Sequence, residues 1–328
     1  MTIILGADIG GTKSELALFD LQSFPNGVIH HSYYLNAQFD RLEQLIDDFI
    51  NRAPVQPDVA CLGAAGLVSN GSATMTNLKW TFSEEQLGSD FSLSRVRLIN
   101  DLTAVCAGAT LLDETDCITL QEGEPEETGL KGVIAPGTGL GEGMLLQRDG
   151  ALFAQGSEGG HCNFAPMNEE QKSLLNWMHD KYQTVSYEML CSGVGIPNLY
   201  HFFKARMRKD NEVVEEGSAL GKDITPLIVE NGLKNTPCPV CRCCLETFLA
   251  ILGAEAGNLA LKLYCRGGLF IGGGILPRLH GKISFSPITE SFVDKGQMAH
   301  LLKKIPLRLI MKKDIALYGT VQYFKLNR

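Results

Sequence analysis

The sequence has few of the features that direct a chain to nucleic acids or membranes. Its 29 lysines and arginines are outnumbered by 37 aspartates and glutamates, which gives a formal net charge of −8. General nucleic-acid binders need a basic surface, so we predict no nucleic-acid partner. The longest apolar runs, residues 102–112 and 248–263, are short or interrupted by polar side chains, which predicts that neither crosses a bilayer.

Signals for export and for repetition are also missing. The first eight residues have no basic segment ahead of their short apolar run, so we expect no signal peptide. Without export, the ten cysteines should stay reduced, as thiols do in a cytosol. The sequence contains no low-complexity segment and no short-period repeat. Together these absences predict a cytoplasmic protein.

The remaining composition is that of an ordinary globular protein. With 328 residues, of which 45% are apolar and 20% charged, the chain is long enough for about two domains. Its hydrophobic patterns predict a hairpin of strands over 3–7 and 15–19, a helix over 39–52, strands over 59–65, 96–100, 132–135 and 269–271, and helices over much of 169–230. This mixture predicts an α/β protein.

Three glycine turns follow predicted strands, at 8–13, 136–141 and 272–274. The first is not a dinucleotide-binding fingerprint, because it leads into a strand, and it is not a Walker A loop, because Thr12-Lys13 stands where Lys-Ser/Thr is required. Backbone N–H groups in such turns can still bind an anion, and Asp8 suits magnesium. One such turn alone predicts only a tight turn, in which glycines permit a positive φ. Three in this order predict a nucleotide site.

Several polar residues could bind a second ligand. Asn100 and Asp101 follow a predicted strand, at the end where α/β sheets bind ligands. Asp101 either caps the following helix or accepts the proton of a substrate hydroxyl, with Asn100 holding another hydroxyl. Glu158 and His161 flank two glycines and could hydrogen-bond a vicinal diol, but they are too few for zinc. Glu188 is predicted on a helix, either solvated or bound to the ligand.

Seven segments, in order along the chain, resemble those of bacterial ATP-dependent glucokinases, which belong to the sugar kinase, Hsp70 and actin superfamily. The segments are Asp8–Thr12, Thr76–Trp80, Ile99–Asp101, Gly137–Gly141, Glu158–Pro166, Val185–Gly193 and Gly273–Arg278. The resemblance implies a two-domain actin-like ATPase (ribonuclease H-like) fold with a cleft between a small domain, 1–110 plus 312–328, and a large domain, 111–311. It also implies transfer of the γ-phosphate of ATP to the 6-hydroxyl of glucose, with a homodimer as the assembly.

The resemblance also implies a role for each matching residue. Asp101 is implied as the base, and Asp8 as a ligand of Mg²⁺ through water. The residues implied to bind the sugar are Asn77, Asn100, Gly139, Glu158, His161 and Glu188. The residues implied to bind ATP are Ala7, Asp8, Gly10, Gly11, Thr12, Gly137, Thr138, Gly273 and Gly274.

Two features depart from the pattern. Glu142 follows Gly141, where small or apolar residues are usual in the family. Four cysteines, Cys238, Cys241, Cys243 and Cys244, form a compact group that could hold a metal or lie buried on a helix. The zinc motif of the related repressor/ORF/kinase family is missing, which favours glucose. The alternatives are a kinase for another hexose or an N-acyl-hexosamine, a non-catalytic sugar sensor, and a filament-forming or Hsp70-like ATPase.

Overall fold

A computed structural model describes residues 1–75 and 78–327 of the chain. The contacts within the chain group it into two units. The first unit holds Met1–Thr115, Gly143–Gly156 and Lys312–Arg328, and the second holds Asp116–Glu142 and Ser157–Met311. The predicted domain boundaries near residues 110 and 312 remain a proposal. That prediction places Gly143–Gly156 in the large domain, whereas the contacts group this segment with the first unit.

Strands and helices alternate along the chain, as the sequence patterns predict. The strands are β1 (Ile3–Ile9), β2 (Lys13–Asp20), β3 (Val28–Leu35), β4 (Val59–Ala64), β5 (Gly66–Ser69), β6 (Ser72–Met75), β7 (Thr81–Ser83), β8 (Arg95–Asn100), β9 (Cys117–Gln121), β10 (Lys131–Pro136), β11 (Leu140–Arg148), β12 (Ala151–Ser157), β13 (Gly268–Ile271) and β14 (Leu307–Ile310). The α-helices are α1 (Leu42–Arg52), α2 (Glu84–Asp90), α3 (Asp101–Gly108), α4 (Glu169–His179), α5 (Ile196–Met207), α6 (Glu212–Ala219), α7 (Thr225–Leu233), α8 (Pro239–Leu263), α9 (Leu276–Leu279), α10 (Ser286–Val293), α11 (Ala299–Leu302) and α12 (Ile315–Leu326).

The main sheet of the first unit has the order β3-β2-β1-β4-β8, so the predicted hairpin of β1 and β2 does lie at its centre. β1, β4 and β8 are parallel, and their register places Ile9, Ala64 and Asn100 side by side. The carboxyl ends of parallel strands meet at one edge of a sheet, where α/β proteins bind ligands. Asp8 and Asp101 therefore lie at the same edge.

Helices α3 and α12 of the first unit cross at very short distance. Gly319 and Gly108 make this possible, because a Cβ added to Gly319 would lie 1.8 Å from the carbonyl oxygen of Ala104 and one added to Gly108 would lie 2.3 Å from that of Ile315. Real Cβ atoms do not approach backbone oxygens so closely, so neither position accepts a side chain without movement of a helix. The crossing fixes the position of α3, which begins with Asp101.

The second sheet has the order β12-β11-β10-β13-β14-β9, and part of its β11–β12 hairpin groups with the first unit. In the second unit, α8 is the main core helix and packs against α5, α7 and α10. By its length and composition α8 could cross a membrane. The prediction that the apolar run 248–263 is too short or too interrupted to do so is therefore wrong by these two criteria. Within the fold, 78% of its most apolar window is buried, as in a core helix of a folded domain.

Two predicted helical regions differ from the observed ones. α1 begins at Leu42 rather than at residue 39, because Asn36–Gln38 forms a separate 3₁₀ turn whose buried Asn36 is fixed by the first glycine turn. The region 169–230 is helical in pieces, and the segment between α4 and α5 has no helix. That segment contains Glu188.

Candidate active site

Asn100, at the end of β8, caps α3. Its backbone is extended, and its side-chain oxygen accepts hydrogen bonds from the N–H groups of Leu102 at 3.0 Å and Thr103 at 3.4 Å. The alternative that Asp101 is the N-cap is therefore wrong, because Asn100 occupies that place. Asp101 is the first helical residue, and its own carboxylate accepts from Leu102 at 2.8 Å. A carboxylate in the first turn of a helix interacts favourably with the helix dipole.

Replacing Asn100 with alanine should lower the free energy of unfolding by about 1 kcal/mol, because the first turn of α3 loses its capping acceptor. Replacement with serine should recover most of the loss, since serine is an equally good N-cap. Urea unfolding of the two variants beside the unchanged chain measures this. Equal stability of all three proteins would show that the hydrogen bonds of Asn100 do not stabilise the helix.

Three carboxyl groups lie near one another at this edge of the sheet. Asp8 lies on β1, opposite Glu15 on β2. Burial, then the charge of Asp101, then that of Glu15, raise the pKa of Asp8 to about 7. Asp8 and Asp101 thus interact electrostatically within the first unit. Carboxylates that repel one another in a partly dry site favour either a proton or a bound cation.

The first glycine turn is a tight hairpin in which the N–H of Gly10 donates to Lys13 O at 3.0 Å. Gly10 does not have the positive φ that the sequence suggested. Glycine is needed there for another reason, because a Cβ would lie 2.8 Å from Lys13 O. Asn36 then clamps the turn. Its Nδ2 donates to Gly10 O at 2.8 Å, its Oδ1 accepts from Ser14 Oγ at 2.7 Å, and its N–H donates to Thr12 O at 3.0 Å.

Asn36, which is 1% exposed, was not predicted as a functional residue. It follows an edge strand with no motif around it, and only the pairing of β2 with β3 brings it to the turn. A buried asparagine whose side chain and backbone N–H are hydrogen-bonded to one turn fixes the conformation of that turn. Asn36 is therefore a supporting residue of the predicted phosphate loop.

The second glycine turn joins β10 to β11 in the second unit. Gly137 N donates to Gly139 O at 2.8 Å, and the carbonyls of Gly137 and Thr138 accept from Gly193 at 2.8 Å and Val194 at 3.2 Å. A Cβ on Gly137 would meet nothing within 4 Å, so one face of this turn is open. The turn is thus held by backbone hydrogen bonds on one side and accessible to a ligand on the other.

Glu158, His161 and Glu188 come together in the second unit. His161 Nε2 lies 3.8 Å from Glu158 Oε2, and His161 Nδ1 lies 3.8 Å from Glu188 Oε1. Glu158 and His161 are exposed, whereas Glu188 is mostly covered. Two carboxylates and an imidazole on one surface supply the acceptors and the donor that adjacent sugar hydroxyls need.

The prediction that Glu188 lies on a helix is wrong, because it lies in a turn. Its Oε2 accepts from the N–H of Leu140 at 2.9 Å, and its own N–H donates to Gly160 O at 2.9 Å. Glu188 therefore connects the second glycine turn to the Glu158–His161 turn. Gly139 is part of this connection, since a Cβ there would lie 2.3 Å from Glu188 Oε2.

The third glycine turn follows β13. Gly273 has φ of +81°, which favours glycine, and a Cβ there would lie 2.2 Å from Pro136 O. Gly274 has open space where a side chain would stand. The turn therefore rests on the end of β10 and leaves its backbone accessible, as a flat ligand would require.

The predicted site residues fall into two groups. In the first unit, the sheet edge brings together Ala7, Asp8, Gly10, Gly11, Thr12, Asn100 and Asp101. In the second unit lie Gly137, Thr138, Gly139, Glu158, His161, Glu188, Gly273 and Gly274. Asn77 lies outside the described residues.

The four clustered cysteines lie at the start of α8. Cys238 is its N-cap, and Cys241 and Cys244 are fully buried in the core. Burial raises the pKa of Cys243 and of both buried thiols, which disfavours the thiolate that a metal requires. Within residues 1–75 and 78–327, no three or more His, Cys, Asp or Glu side chains are arranged to hold a metal ion.

The glucokinase family model matches residues 5–327. The chain belongs to the glucokinase family. A glucokinase from a Nostoc species is 35% identical over 97% of this chain and 98% of its own. The crystal structure of a glucokinase from an Antarctic psychrotroph is 31% identical, with a TM-score of 0.81 over 98% of each chain. Family membership confirms the resemblance found in the sequence.

A more distant glucokinase structure extends the comparison of folds. The ROK family glucokinase from Streptomyces griseus, in complex with glucose and AMPPNP, is 19% identical, with a TM-score of 0.65 over 97% of this chain and 98% of its own. At that identity the likeness concerns the fold. The predicted fold class is confirmed: this glucokinase family member has the two-domain actin-like fold of the sugar kinases.

Proposed function

We propose that the chain phosphorylates glucose, transferring the γ-phosphoryl group of ATP to the 6-hydroxyl and releasing ADP and glucose 6-phosphate. Membership of the glucokinase family supports a hexose kinase. The observation that carries the mechanism is the position of Asp101, which begins α3 beside Asp8 at the ligand-binding edge of the first sheet. A kinase needs a carboxylate of this kind beside its phosphate loop.

Asp101 acts as the base. Its carboxylate accepts the proton of the 6-hydroxyl as the oxygen attacks the γ-phosphorus in line with the departing ADP. The transition state of phosphoryl transfer is loose, so Asp101 mainly orients the hydroxyl and takes up the proton late. Asn100 caps the helix that carries Asp101 and offers its Nδ2 group, which donates to Gly66 O at a long 3.4 Å, to a neighbouring hydroxyl.

The remaining hydroxyls bind to Glu158, His161 and Glu188. The glutamates accept hydrogen bonds from two hydroxyls, and the imidazole can donate to one and accept from another. Glu188 is oriented by Leu140 N–H, which leaves its second oxygen, the one facing His161, for the sugar. Asn77 is proposed to contribute from the segment before this site.

ATP binds to the three glycine turns. Ala7, Gly10, Gly11 and Thr12, together with Gly137 and Thr138, hold the phosphates by backbone N–H groups and threonine hydroxyls. The open backbone at Gly273 and Gly274 receives the adenosine. The Streptomyces griseus glucokinase binds the ATP analogue AMPPNP, which supports ATP as the donor.

Magnesium fits the carboxylates at the sheet edge. Asp8 has a raised pKa because it is partly buried beside Asp101 and Glu15, and a divalent cation would offset that repulsion. The described residues supply no set of three ligands, so the ion would take its other ligands from water and phosphate oxygens, as Mg²⁺ commonly does. When bound, Mg²⁺ neutralises charge on the phosphates. Asp8 would hold it through water.

The cellular role follows from the reaction. We place the enzyme in the cytoplasm, where ATP and free glucose meet and the product enters glycolysis. A homodimer is the assembly that we propose.

The assignment is tested by measuring ADP release from MgATP with glucose, mannose, galactose and N-acetylglucosamine. We expect saturation with glucose, and a kcat/KM at least about tenfold lower for galactose and N-acetylglucosamine, because a site built to bind given hydroxyls rejects sugars that leave those groups unpaired. Faster turnover of another sugar would assign a different hexose kinase. Glucose binding without turnover would indicate a sensor, and rapid ATP hydrolysis without sugar would indicate an actin-like or Hsp70-like ATPase.

A further inference from the structure

Glu142 lies beneath the Glu158–His161 turn. Its side chain is 2% exposed, and a Cβ added to Gly159 would lie 2.0 Å from Glu142 Oε2 and 2.6 Å from its Cδ. The carboxyl group thus occupies the space where a side chain of Gly159 would stand. Ser157 Oγ donates to Glu142 O at 3.2 Å, which ties the start of the turn to the same strand. Glu142 therefore supports the turn from inside the second unit.

A second buried carboxyl group, that of Glu255 on α8, faces Glu142. Glu255 is 0% exposed and has both oxygens satisfied: Oε1 accepts from Lys262 Nζ at 3.3 Å and Oε2 from Asn258 Nδ2 at 2.8 Å. Glu142 Oε1, in contrast, has no hydrogen-bond donor among the described residues. Each oxygen of Glu255 therefore has a donor, whereas Oε1 of Glu142 has none among the described residues.

The charges around the pair favour one retained proton. Burial, then Glu255, raise the pKa of Glu142 to about 8, and Lys262 opposes them. The ammonium group of Lys295 interacts electrostatically with Glu255, and its Nζ donates to Asn258 Oδ1 at 2.8 Å. The other titratable groups that interact with the pair are Lys262 on α8, Lys295 after α10, and Tyr187 and Cys191 between α4 and α5. Cys162 interacts with Lys262.

A hydrogen bond between two carboxyl groups exists only if one of them carries the proton. With the proton on Glu142, it can donate to Glu255, and its buried oxygen is no longer without a partner. Without that proton, two buried carboxylates repel each other directly beneath the sugar-binding turn.

We propose that Glu142 is a positioning residue for the sugar site: as a neutral acid bonded to Glu255, it supports Gly159 and so holds Glu158 and His161 where they bind the hydroxyls of the hexose. The inference rests on the proposed function. Ionisation of Glu142 pushes the turn away from α8 and weakens sugar binding. Because Glu158 and His161 hold the sugar equally in the ground state and the transition state, the effect is on KM for glucose rather than on kcat.

The test compares Glu142→Gln, Glu142→Ala and a matched control, Glu246→Gln, which lies on an exposed part of the same helix as Glu255. KM for glucose and kcat are measured from pH 6.5 to 9.5. We expect KM of the unchanged chain to rise about three- to tenfold above pH 8, at nearly constant kcat. Glu142→Gln should keep the neutral-pH KM and lose the rise, because glutamine has the shape and donor of the neutral acid but cannot ionise. Glu142→Ala should raise KM about tenfold at every pH, and Glu246→Gln should behave like the unchanged chain.

A rise in KM that persists in Glu142→Gln, or an unchanged KM in Glu142→Ala, would overturn the proposal. Urea unfolding at pH 7 and pH 9 gives a second reading that needs no turnover. Because the pKa of Glu142 is raised from its ordinary 4.5 to about 8 in the folded chain, the stability that the proton contributes is fully present below pH 4.5 and is lost progressively up to about pH 8. The last part of that loss falls between pH 7 and pH 9, and Glu142→Gln should abolish it. Absence of glucose turnover in the unchanged chain would refute the proposed function, whereas equal pH dependence of stability in both proteins would refute the role of Glu142.

Discussion

Replacing Asp101 with asparagine should lower kcat by roughly 10²–10⁴-fold, which is the usual contribution of a positioned acid–base group. Asparagine has nearly the same shape, and its side-chain oxygen can still accept from Leu102 N–H, so α3 should keep its first turn. Glucose binding should change by less than about threefold, since the sugar-binding groups remain. The measurement is kcat at saturating glucose and MgATP, with glucose affinity determined separately by fluorescence titration.

The matched control is Asp90→Asn, at the exposed C-terminal end of α2 in the same unit, which should leave kcat unchanged. The base assignment is refuted if Asp101→Asn keeps more than about a tenth of the activity. Loss of glucose binding together with kcat would instead show that Asp101 mainly binds the sugar.

Replacing Gly319 with alanine should have the largest effect on stability. The new methyl group would lie 1.8 Å from Ala104 O and 2.8 Å from Gly108 N, both backbone atoms that cannot rotate away. Helices α3 and α12 must separate, and overpacking of this kind destabilises by about 3 kcal/mol. Because α3 begins with Asp101, its displacement should also lower kcat on the order of tenfold.

The loss of stability in the first unit can be measured by tryptophan fluorescence. It has two tryptophans, and Trp80 is buried in the core of the first unit. In a Trp177→Phe background, the fluorescence of Trp80 therefore reports urea unfolding of that unit. The control is Gly88→Ala on α2, where a Cβ would lie 3.5 Å from its nearest neighbour and alanine should stabilise by about 0.5 kcal/mol. Equal unfolding midpoints for the Gly319 and Gly88 variants would contradict the close helix crossing.

The patterns that predicted the fold are local. The hairpin of β1 and β2 and the buried strand β4 appear near the predicted positions, because each is specified by its own hydrophobic pattern and turn residues. The Asn100-Asp101 pair was placed correctly at a strand end for the same reason. The capping alternative assigned the N-cap to Asp101, whereas the extended backbone of Asn100 makes Asn100 the N-cap.

The sequence pattern around a residue does not predict contacts with residues far away in the chain. Asn36 clamps the first glycine turn because strand pairing brings it there, and Glu188 lies in a turn because Leu140 and Gly160 hold it by hydrogen bonds. Gly10 is required by a carbonyl three residues away rather than by a positive φ. Each of these facts depends on atoms that only the folded chain brings together.

The sequence by itself determined the family, the alternation of strands and helices, and the chemical groups available to bind a sugar and a nucleotide, because short-range patterns and motif order carry that information. The tertiary structure alone decided how those groups are supported. It set Asp101 beside Asp8 at one sheet edge, let α3 approach α12 at Gly319, and buried Glu142 against Glu255 beneath Gly159. Burial and proximity change the pKa of a carboxyl group and the space around a glycine, and both depend on residues far apart in the chain.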